Sequence, residues 1–135
     1  MKKRFMKSAI AIILVMIAVF TCSNAAMQPR WKYVSSISGD ISISTLGIAT
    51  VYGTGSAASP QVTKPVCKLH LQQLKNQTTI KTWTATSNSH YAAVDTKHWA
   101  VDRGYSYRIY VELNAYHGST LLETGSSASE FRYYG

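Results

Sequence analysis

The residues of this 135-residue chain that could do chemistry are few, and their spacing decides most of what they can do. Cys67 and His70 stand at a C-x-x-H spacing, which on a turn or helix would bring a thiolate and an imidazole to one metal ion. The run that carries them, Cys67-Lys68-Leu69-His70-Leu71-Gln72, alternates apolar and polar residues. That is the period of a strand, on which residues three apart project from opposite faces, so this pair is expected to share no ion. His90, His98 and His117 stand singly, and the chain has no HExxH or Cx2C pair.

Nucleophilic and acid–base chemistry find little more support. There is no G-x-S-x-G elbow. Cys67 is expected inward on its strand rather than at a helix N-terminus, where its thiol would ionise more easily. Asp95 and His98 lie close in sequence, and Ser89 or Ser106 would complete a triad, but a chain this rich in serine supplies such a set by chance. The six acidic residues, Asp40, Asp95, Asp102, Glu112, Glu123 and Glu130, offer no pair suited to glycoside hydrolysis. Asp40, Asp95 and Asp102 read as strand-end residues serving turns. The expectation is a non-enzymatic chain without metal or cofactor.

Aromatic content points instead to binding. The chain holds nine Tyr and three Trp. The outward residues of the longest alternating run, Gly104 to Ala115 and beyond, are Ser106, Arg108, Tyr110, Glu112, Asn114 and Tyr116. Of these, Arg108, Tyr110, Asn114 and Tyr116 make a stripe of aromatic and planar polar groups. Aromatic rings beside planar polar groups suit sugar rings or a partner protein, and these four residues are the candidate binding site. The competing reading is that Tyr simply favours strands, with neighbouring side chains covering the stripe.

The elements that must position these residues are strands throughout. Tyr105, Tyr107, Ile109, Val111, Leu113 and Ala115 form the inward set of the long strand, and Cys67, Leu69 and Leu71 that of a second. Ile80–Thr86 reads as a hairpin partner across Lys75-Asn76-Gln77-Thr78, with Trp83 and Ala85 inward and Lys81 at the edge of that face. Further strands are expected at Trp31–Ser38, Asp40–Thr45, Ile48–Gly53, Ser89–Val94, His98–Val101 and Leu121–Thr124, with Phe131–Tyr134 closing a sheet edge. Gly/Ser/Pro-rich pieces separate them, and Gly53–Pro65 reads as the one long connection, a second candidate for ligand contact. Short strands with turn signals and no helical period indicate an all-β fold, an antiparallel sandwich.

The chain opens as an export signal does. Lys2, Lys3, Arg4 and Lys7 precede an apolar run from Ser8 to Phe20, and Ser23-Asn24-Ala25-Ala26 offers small residues for cleavage. This run is too short to span a bilayer, which takes about 20 residues. The residues ahead of Cys22 match a lipid-anchor signal poorly. The expectation is a cleavable signal-peptide helix over residues 1–26, with an uncleaved anchor as its main rival, and one domain over 27–135. Four of the 14 Lys+Arg fall in residues 1–26 and none of the six Asp+Glu, so residues 27–135 carry ten basic against six acidic groups, a net charge of about +4 rather than +8. Those basic residues are scattered singly, and no nucleic-acid partner is expected. Only Cys67 remains in residues 27–135, which excludes an internal disulfide there.

Two resemblances follow from particular residues. Val101-Asp102-Arg103-Gly104-Tyr105-Ser106-Tyr107 is similar to the tyrosine corner of fibronectin type III and other immunoglobulin-like sandwiches, which makes Tyr107 the corner residue. The Cys…Trp…Cys spacing of antibody domains is absent. Arg30-Trp31-Lys32-Tyr33, Leu69-His70-Leu71-Gln72-Gln73-Leu74 with Lys81-Thr82-Trp83, and Gly104-Tyr105-Ser106-Tyr107-Arg108 resemble a family of short exported proteins of Gram-positive bacteria with no assigned function. That resemblance implies export and a β-sandwich, and it supplies no catalytic residues. The expectation is a secreted or wall-associated binding module for a cell-wall glycan or surface protein. The alternative is a bacteriocin-like toxin, in which membrane contact would run through Gly53–Ser59.

Overall fold

Alternating apolar and polar residues become eight strands in the computed structural model, which describes residues 31–135. The leader, its helix and Cys22 lie outside the described residues. The strands are β1 (Val34–Ile43), β2 (Ile48–Ala57), β3 (Lys64–Gln73), β4 (Thr78–Thr86), β5 (Tyr91–Ala100), β6 (Tyr105–His117), β7 (Thr120–Ala128) and β8 (Arg132–Tyr134). A single 3-10 turn, Lys75–Gln77, joins β3 to β4. All pairings are antiparallel, in two sheets of order β1-β2-β5 and β4-β3-β6-β7, and β8 takes over from β7 along the first residues of β6.

The inward rows of the two sheets meet in one core. Tyr107, Ile109, Val111, Leu113 and Ala115 of β6 are buried, as are Cys67, Leu69 and Leu71 of β3, and they face Ile41, Ala49, Val51, Ala92 and Val94 of the smaller sheet. Each fully buried Val, Leu or Ile contributes about 1.5–3 kcal/mol. Trp83 and Ala85 of β4 pack against the rim of this core.

Several strands run longer than their sequence suggests. Among them is β7, which covers Thr120–Ala128 where Leu121–Thr124 is expected and takes Gly125-Ser126-Ser127 into the strand. Trp31–Ser38 and Asp40–Thr45 are one strand, β1, with Gly39 inside it rather than at a turn. The glycines at the start of the expected Gly53–Pro65 connection also lie inside a strand. β2 runs on to Ala57, so the connection is only Ala58–Thr63, and Gly53 and Gly55 are buried. A Cβ at Gly55 would stand 2.7 Å from Cδ1 of Leu113, and one at Gly53 would stand 3.0 Å from Cγ2 of Val111. These glycines read as loop chemistry but serve close approach of the sheets. Ser89–Val94 and His98–Val101 likewise merge into β5. There Val51 pairs with Lys97 and Gly53 with Val94, so Tyr52 faces both Asp95 and Thr96 in a bulge. A bulge inverts the alternation beyond it, which breaks the sequence signal. Asp40 and Asp95 therefore sit within strands, not at their ends.

At the base of β6 the Tyr107 hydroxyl donates to the Asp102 carbonyl at 2.8 Å and accepts from the Asp102 N–H at 3.0 Å. The Gln73 amide donates to the same oxygen at 3.2 Å. Gly104 takes φ +92°, which lets the chain turn into β6 directly after this contact. Across the sandwich, Glu123 of β7 holds the start of β1. Its carboxylate accepts the Lys32, Tyr33 and Val34 N–H groups at 2.9, 2.9 and 3.0 Å. Burial alone would raise this carboxyl, but the three N–H donors and the Lys32 ammonium outweigh it and hold it below its ordinary value.

Two outcomes check this account. Gly55→Ala is expected to destabilise by about 1–3 kcal/mol in chemical denaturation, because the added Cβ would press on the fully buried Leu113 and force it to shift. A stability equal to that of the parent protein would mean that the sheets yield there. Glu123→Gln is expected to cost about 1 kcal/mol near neutral pH, at the low end for charge-assisted hydrogen bonds because the group is partly solvated. Its lowered folded-state pKa stabilises the fold above the ordinary carboxylate range, and that contribution is lost as pH falls through the folded value. The stability gap between parent and variant should therefore close on acidification, and a gap that widens would refute the cap.

Candidate functional site

The outward row of β6 lies in register with that of β3. Tyr116 pairs with Lys64, Asn114 with Val66, Glu112 with Lys68, Tyr110 with His70 and Arg108 with Gln72. Beyond β3, the exposed hydroxyls of Thr82, Thr84 and Thr86 on β4 pair with His70, Lys68 and Val66. The result is one continuous outer face of planar groups, aromatic rings and hydroxyls.

Most of these side chains are fixed by one another. Arg108 Nε donates to Gln72 Oε1 at 2.9 Å, and the guanidinium lies 4.9 Å from the Phe131 ring centre. The His70 and Tyr110 ring centres are 5.9 Å apart and tilted by 40°. His70 Nε2 lies 3.4 Å from Glu112 Oε2, and Nδ1 lies 2.9 Å from Thr82 Oγ1. A carboxylate only accepts, so Nε2 carries the proton and, in the neutral ring, the Thr82 hydroxyl donates to Nδ1. Lys64 Nζ stands 5.0 Å from the Tyr116 ring centre. These contacts order long side chains before any ligand arrives.

All four residues of the expected stripe therefore lie on this face, but not equally. Arg108, Tyr110 and Tyr116 are half-buried and reach solvent, whereas Asn114 is 6% exposed and its Oδ1 accepts the Thr124 hydroxyl at 2.8 Å. Asn114 braces β6 against β7 and offers almost no surface to a ligand. Glu112, two residues from Tyr110 and in the outward phase of the same run, takes its place in the row. His70 joins it from β3, a neighbour that no local spacing signals.

Elsewhere the expected separations appear. Cys67 is buried with Sγ 3.7 Å from the Gly53 carbonyl oxygen, on the face opposite His70. Burial pushes its thiol pKa up, against the smaller opposing pull of the Val94 backbone. His98 bonds Thr50 at 3.1 Å and His117 bonds the Gln61 carbonyl at 2.7 Å, far apart in the fold. Among the described residues no group of three or more His, Cys, Asp or Glu could hold a metal ion. On the smaller sheet the sequence reading passed over Tyr52 and Tyr91, which are more exposed than the stripe, at 44% and 52%.

Cys67 should resist a water-soluble thiol reagent in the native protein and react fully in denaturant, with peptide mapping used to locate the label. Rapid native labelling of Cys67 would contradict its buried, neutral state.

Compared with protein-family models, with curated proteins and with solved structures, the chain matches none.

Proposed function

We propose that this chain is an exported, non-catalytic binding domain of immunoglobulin-like type. Its ligand is a cell-wall glycan or surface protein, engaged by the outer face of the β4-β3-β6-β7 sheet. The immunoglobulin-like reading is supported by the strand order, with first, second and fifth strands packed on fourth, third, sixth and seventh, and by a corner tyrosine near the start of the sixth. One observation carries the functional reading. Arg108, Tyr110 and Tyr116 reach solvent while already held by Gln72, Phe131, His70 and Lys64, so little side-chain entropy remains to be lost on binding. The toxin alternative loses its expected insertion segment, because Gly53–Ala57 belongs to β2.

Retention on insoluble peptidoglycan, or on a glycan array, tests this. Tyr110→Ala/Tyr116→Ala is expected to weaken retention about tenfold or more, from the loss of two ring contacts. Unchanged retention of the double variant would rule out the stripe. Leakage of dye-loaded liposomes by the parent protein would favour the toxin reading instead.

A further inference from the structure

The opposite face of the sandwich carries a second arrangement of a different kind. The β1–β2 register sets Asp40 beside Tyr52 and Ser42 beside Thr50, and β5 adds His98 next to Thr50. A groove of about 130 Å³ lies among Asp40, Ile41, Ser42, Thr50 and Tyr52. Tyr52 is 44% exposed, a large accessible ring at the groove. Asp40 Oδ1 accepts the Ile41 N–H at 2.8 Å, which fixes the carboxylate and leaves Oδ2 for another donor. Thr50 Oγ1 is held 3.1 Å from His98 Nδ1. The β5 bulge brings Asp95 and Thr96 to the other side of Tyr52.

We propose that this groove is a subsite for one uncharged pyranose ring of a glycan. The ring of Tyr52 offers an apolar surface to sugar C–H groups, while Asp40, Ser42 and Thr50 offer acceptors and donors to adjacent hydroxyls. Charge selects against an anionic sugar. β1 and β2 contain no Lys or Arg, and Asp40 and Asp95 flank Tyr52. The one lysine of β5, Lys97, pairs with the inward Val51 rather than with Tyr52. An organic ammonium is disfavoured by shape, since recognition of such ions uses a cage of several rings and only one lines this groove. Its volume is below that of pockets for drug-sized ligands, so it takes one small group rather than a large ligand. A contact of this size binds in about the millimolar range, so it would act as one subsite of a polymer. The site shares no residue with the stripe on the other sheet.

Backbone amide NMR of the full-length protein tests the proposal, with glucose, galactose, mannose and N-acetylglucosamine titrated singly and with glucuronate and choline as charged comparisons. At least one neutral sugar should give saturable shifts at Ser42, Thr50 and Tyr52. Tyr52→Ala should abolish them or weaken the affinity at least tenfold, and Asp40→Asn should weaken it several-fold. Both positions are exposed, and a well-dispersed spectrum confirms that each variant is folded. Tyr110→Ala/Tyr116→Ala should leave these shifts unchanged, which separates this site from the other face. The proposal is overturned if no neutral sugar shifts these amides, if Tyr52→Ala leaves the titration intact, or if glucuronate or choline binds there as well as the sugars.

Discussion

Everything in this molecule depends on how closely its two sheets approach. The long strand β6 drives Val111 and Leu113 across the core to where β2 has only Gly53 and Gly55. Side chains at those two positions would hold the sheets apart, and the buried row from Tyr107 to Ala115 would lose its contacts with Ala49 and Val51. Glycine weakens a strand locally by roughly 0.5–1 kcal/mol relative to alanine. Here that cost is set against continuous burial on both sides of the interface, with several large side chains fully covered.

Closure of the core also fixes what faces outward. Because side chains alternate, placing Ile109, Val111 and Leu113 inward commits Arg108, Tyr110, Glu112 and Asn114 to the opposite side. The outward tyrosines of both sheets thus follow from the core, and their neighbours differ by sheet. Those on the larger sheet are cations, amides and an imidazole–carboxylate pair, whereas Tyr52 stands between carboxylates and hydroxyls. The Tyr107 contact at Asp102 and the Glu123 contact at Lys32–Val34 then tie chain segments that alternation alone leaves loose.

Much of this was legible in the sequence where the period is unbroken. β6, the β3–β4 hairpin and the inward Cys67 follow from alternation, and the Tyr107 hydroxyl meets backbone just upstream, at Asp102, as the turn motif leads one to expect. The failures have physical causes. Gly39, Gly53 and Gly55 look like turn residues because glycine serves turns and close packing equally. The bulge at Asp95–Thr96 reverses the phase of β5 and splits one strand into two apparent ones. The Glu123 contact joins residues about ninety positions apart, for which no local pattern exists. Asn114 was read correctly as outward, but its burial comes from β7 through Thr124, a neighbour that a single strand's pattern does not name.

The central claim is that the β4-β3-β6-β7 face meets the ligand. Hydroxyl-radical footprinting of the protein with and without insoluble cell wall tests it most directly, because the tyrosines report on different surfaces. Tyr91, at 52% exposure on β5 of the smaller sheet, serves as the reference on the other face. The account predicts that the wall protects Tyr110 and Tyr116 while Tyr91 keeps its reactivity. Equal labelling of Tyr110 and Tyr116 with and without wall, under conditions where the protein is retained, would contradict it.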